Sequence, residues 1–84
     1  MNSHMETIYV ALLDEGVEVW RPVFAARRAG GLFEIISRND SPETESWEFP
    51  SGSLVRCVTK QLSDGPCLVA TELQAPWHLK SASH

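Results

Sequence analysis

The apolar and β-branched residues of this chain come in short runs, and turn-forming residues close each run before it could complete a self-supporting helix. Residues 7–13 run into Asp14-Glu15-Gly16, and residues 17–23 alternate around Pro22. Residues 32–37 follow Gly30-Gly31, 54–62 follow Pro50-Ser51-Gly52-Ser53, and 67–73 follow Ser63-Asp64-Gly65-Pro66. The stretch between, Phe24 to Ala29, has some helix propensity, but Gly30-Gly31 ends it far short of a stable helix, so it reads as a continued, bent strand. The pattern predicts an all-β fold: one five-stranded small barrel or rolled antiparallel sheet, with an open meander as the alternative.

Finer expectations follow from alternation. In the second strand Val17, Val19, Arg21 and Val23 share one side, with Glu18 and Trp20 on the other. Pro22 has no N–H to donate, so that strand is an edge or is bulged there. In the last hairpin, pairing Leu62 with Pro66 sets Cys57 opposite Thr71 and points Arg56, Lys60 and Glu72 to solvent.

At 84 residues there is room for one core and no second domain. Residues 1–4 resemble an expression-vector remnant, 5–76 form the barrel domain, and 77–84 read as a flexible C-terminal tail. Seven basic against eleven acidic residues give a net charge of −4, which disfavours nucleic acid unless the basic residues gather on one face. No apolar run is long enough to span a bilayer and no secretion signal precedes the barrel, so a soluble, cytoplasmic protein is expected.

Chemistry-bearing patterns are sparse. Cys57 and Cys67 are the only thiols, not cross-strand neighbours in the expected register, and read as reduced core residues. With His78 they lack metal-ligand spacing, so neither metal nor cofactor is expected. Ser51, Ser53 and Ser63 lie where turn chemistry explains them, and no histidine can be set beside a nucleophile, which argues against an enzyme. Asp40, Glu43, Glu45 and Glu48 do not follow a calcium-loop pattern and read as a solvated acidic loop that could meet a basic partner. The rings of Tyr9, Trp20, Phe24, Phe33, Trp47, Phe49 and Trp77 are too many for all to be buried in so small a barrel.

The strand order with Val19-Trp20-Arg21-Pro22-Val23 and Trp47-Glu48-Phe49-Pro50-Ser51-Gly52 resembles small bacterial proteins with an SH3-like or Tudor-like barrel, over about residues 6 to 73. That family carries no assigned activity to transfer. A Tudor-type domain would build an aromatic cage around a methylated cation, for which Trp20 and Trp47 would supply two walls. The resulting expectation is a non-enzymatic module that binds a protein or peptide through Trp20, Arg21, Trp47, Glu43, Glu45 and Glu48. A homodimer mating through the Pro22 edge is the alternative.

Overall fold

The computed structural model of the chain describes residues 5–63 and 65–74. The expected vector remnant, the tail with Trp77, His78 and His84, and Asp64 of the last turn lie outside the described residues.

Five strands close into a barrel in chain order: β1 (Met5–Ala11), β2 (Trp20–Arg28), β3 (Leu32–Ile35), β4 (Leu54–Leu62) and β5 (Gly65–Gln74). Consecutive strands pair antiparallel, and a parallel bridge from Tyr9 to Val69 closes the ring between β1 and β5. Closure leaves no full-length sheet edge, which rules out the open meander. The core is built from alternate residues of every strand: Ile8 and Val10, Val23 and Ala25, Phe33 and Ile35, Val55, and Ala70, with Phe49 entering from the loop after β3.

The stretch from Phe24 is indeed strand, and β2 continues to Arg28. Gly30 and Gly31 both adopt left-handed backbone (φ 78° and 77°) in a short 3-10 turn, Ala29–Gly31, that returns the chain into β3.

Three expectations are corrected. The second strand begins at Trp20, not Val17, because Asp14 (φ 62°) and Gly16 (φ 77°) turn the chain early and leave Val17 73% exposed in the loop. The Leu12 N–H donates to the Val19 carbonyl (2.9 Å) and closes that loop. The third strand ends at Ile35, since the Ile36 and Ser37 N–H groups both donate to the Phe24 carbonyl as the chain peels away.

The last hairpin pairs Leu62 with Gly65, one residue tighter than expected, so Cys57 faces Ala70. A bulge then places Thr71 as the extra residue on β5, and from Arg56↔Glu72 onward the expected register is restored. Cys57 and Cys67 remain unbonded, and burial, aided by Glu6, pushes the Cys57 thiol up to about 11. Among the described residues no helix is long and apolar enough to cross a membrane.

Candidate functional site

The outer face of β1 and β2 is set by strand alternation alone. Met5, Thr7, Tyr9 and Ala11 lie opposite Ala26, Phe24, Pro22 and Trp20 respectively. None of these eight side chains carries a charge, and Phe24 is 58% exposed. Ile36, whose N–H reaches the Phe24 carbonyl at 2.9 Å, is exposed beside it.

Beside this face β2 has one neighbour only. Its pairing with β3 starts at Ala25↔Ile35, so the segment from Trp20 to Val23 is bonded to β1 alone, and the chain after β3 swings out as a loop. Two clefts open along that segment, one of about 300 Å³ and one of about 220 Å³. Both are lined by Pro22, Val23 and Ser37, where the two clefts adjoin, and together they are called the groove. Phe24 and Thr7 bound one end; Arg21, Trp47 and the loop bound the other. Phe24 directs its N–H to the Ser37 hydroxyl (2.8 Å), so alternation turns Pro22 toward the groove as well. Proline can offer only a carbonyl there, and a ligand could not simply extend the sheet.

Glu45 organises the polar end. It accepts from Arg21 through both carboxylate oxygens and from the Trp47 indole N–H at 3.0 Å. Its backbone carbonyl accepts from the Asn39 amide at 2.8 Å, while the Ser41 N–H caps the Asn39 side chain at 2.9 Å. The loop is stitched to the barrel by the Leu12↔Trp47 bridge, by Leu13 N–H to the Ser46 carbonyl (2.7 Å) and by Glu48 N–H to the Ala11 carbonyl (2.8 Å). Trp47 also packs against the core cluster. The hydrogen bonds from Trp47 and then Arg21 hold the Glu45 carboxyl below its ordinary value.

That lowered value has a testable sign. Glu45 stabilises the fold when ionised, so its contribution is present above the unfolded value of about 4.3 and is lost as pH falls through the lower folded value. Wild type should therefore exceed Glu45→Gln in urea midpoint at about pH 7, with the gap closing in acid. A gap that is independent of pH would place the effect of Glu45 elsewhere.

Of the residues expected at the site, Arg21, Glu45 and Trp47 are brought together, and Glu43 and Glu48 stand exposed on the same loop. Trp20 is not among them. It lines a separate cleft of about 310 Å³ with Tyr9, Glu18 and Cys67. There Lys60 Nζ sits 5.0 Å above the indole ring and 3.1 Å from Glu18 Oε2. Trp20 and Trp47 thus cannot form two walls of one aromatic cage. Arg21 and Trp20 are sequence neighbours on one strand, so their side chains leave on opposite faces.

Sequence reasoning missed Phe24 as a surface residue and Asn39 as the loop's brace. Asn39-Asp40-Ser41 carries the side-chain turn signal, and it could have been read. Phe24 could have been read as well, since the alternation that sets Glu18 and Trp20 opposite Val23 puts Phe24 with them once the strand continues past Pro22. Among the described residues no group of three or more His, Cys, Asp or Glu could hold a metal ion. No protein-family model, curated protein or solved structure matches the chain.

Proposed function

We propose that this protein is an SH3-like small barrel acting as a non-enzymatic module that binds a protein or peptide segment in the groove beside β2. The observation that carries this reading is that two clefts adjoin at Pro22, Val23 and Ser37, one bounded by the exposed Phe24 ring and the other by the Arg21–Glu45–Trp47 network. A long, shallow groove with an apolar end and a braced polar end suits an extended chain, and an exposed aromatic is the kind of side chain that anchors such contacts.

Two further features favour binding over catalysis. Glu45 is saturated by Arg21 and Trp47 and is a weakened base, the wrong direction for proton abstraction. Cys57, with its thiol pushed up to about 11, is a poor nucleophile. Against a nucleic-acid ligand, Arg21, Arg27, Arg28, Arg56 and Lys60 each face a carboxylate, which cancels most of the field that would attract phosphate.

Selection of a random dodecapeptide display library on the immobilised protein tests the reading. Wild type should enrich clones that Phe24→Ser fails to retain, with circular dichroism confirming that the variant is folded. Clones held equally by both proteins would remove the groove from consideration.

A further inference from the structure

We infer that the occupant of this groove is a basic segment of a partner protein, one that seats an apolar side chain against Phe24 and Pro22 and lays Lys or Arg side chains across the adjoining loops. The inference rests on the groove being a peptide site and adds the partner's chemistry.

The argument is the distribution of uncompensated charge. Among the described residues every cation except Arg38 faces a carboxylate. Removing those pairs leaves, among the described residues, Asp14, Glu15, Asp40, Glu43 and Glu48, five carboxylates against the single guanidinium of Arg38. Among the described residues this is an excess of four negative charges. All six residues sit on two loops, the one after β1 and the one after β3.

Those loops are one unit. The Leu13 N–H donates to the Ser46 carbonyl and the Glu48 N–H to the Ala11 carbonyl, so both lie at the Ala11 end of β1. Asp40 lines the polar end of the groove itself, and Glu43 and Glu48 stand on the same loop. The remainder of the groove, from Pro22 to Phe24, belongs to the uncharged outer face. A ligand in the groove therefore meets an apolar strip at one end and, beyond Arg38 and Asp40 at the other, two loops that carry the uncompensated carboxylates of the described residues. A basic ligand is attracted and an acidic one repelled, over roughly the 10 Å that screening allows at about 0.1 M salt. Arg38 opposes this locally and should weaken the wild-type affinity. A second copy of this chain would bring its own acidic loops against these, so the imbalance disfavours self-association through the same end.

The same dodecapeptide selection decides it, with two additional readings. Enriched clones should carry an apolar residue flanked by an excess of Lys and Arg. A synthetic peptide of the leading clone should lose about tenfold in affinity between about 50 and 500 mM NaCl. A similar loss should follow in the triple variant Asp40→Asn, Glu43→Gln, Glu48→Gln, and Arg38→Ala should bind more tightly than wild type. Phe24-dependent clones with no basic excess, or with salt-independent affinity, would overturn the basic partner while leaving the groove as a peptide site. Failure to enrich any Phe24-dependent clone would overturn both. A dimer in sedimentation velocity that Phe24→Ser converts to monomer would assign the groove to a second copy and overturn the proposal.

Discussion

Phe33→Ala should leave most of the protein unfolded at 25 °C. The Phe33 ring is 5% exposed and belongs to the core cluster, on a strand of only four residues held between β2 and β4. Truncating a buried phenylalanine removes its transfer free energy and leaves a cavity, together about 3–5 kcal/mol. The Arg27 guanidinium, 5.3 Å from the ring centroid, loses its aromatic partner as well. A single small core rarely supplies more than about 3–5 kcal/mol of net stability, so the loss is comparable with the whole. Urea titration followed by near-ultraviolet circular dichroism measures this directly. Phe24→Ser, the same ring type removed from the outer face, should shift stability by only about 0.5 kcal/mol. If the two variants proved equally stable, the assignment of inside and outside on β2 and β3 would be wrong.

Trp47→Ala should cost about 2–3 kcal/mol and abolish peptide binding together. The side chain is half-buried against the core, so truncation costs less than the about 3–5 kcal/mol of a fully buried ring. It also carries the indole N–H that, with Arg21, holds Glu45. Without the ring Glu45 keeps only Arg21 of β2, and the loop segment that forms the polar wall of the groove loses its packing against the core. Trp47→Phe is the informative control: it restores most of the packing but not the donor. Recovery of stability without recovery of binding would show that the hydrogen bond shapes the groove. If Trp47→Ala instead bound selected peptides at wild-type affinity, the loop would be no part of the site.

How much of this was legible depends on the range over which each feature is decided. The β4 strand was readable at its observed limits because Pro50-Ser51-Gly52-Ser53 and Ser63-Asp64-Gly65 punctuate it chemically. Strand β2 was misread at its start because a loop with two left-handed residues, Asp14 and Gly16, resembles a tight turn in sequence. The hairpin register failed by one residue and then recovered, since a bulge at Thr71 has no sequence mark of its own. At the site, Arg21, Glu45 and Trp47 were each picked out as polar or aromatic residues near one another in an expected patch, yet Trp20 was grouped with them. One residue of offset on a strand reverses the face.

The amino-acid sequence by itself determined the class of fold: short β-branched runs and conformationally demanding turns leave an all-β sheet as the way to bury Ile8, Val10, Phe33, Ile35 and Val55, while its closure into a barrel was a tertiary outcome. Those choices are local, made by torsional preference and by alternation within a few residues. The groove and, among the described residues, the pairing of every cation but Arg38 were decided only by tertiary structure. Each joins residues far apart in the chain, as Arg21 does with Glu45 and Lys60 with Glu18, and such contacts exist only once the strands have closed into a ring.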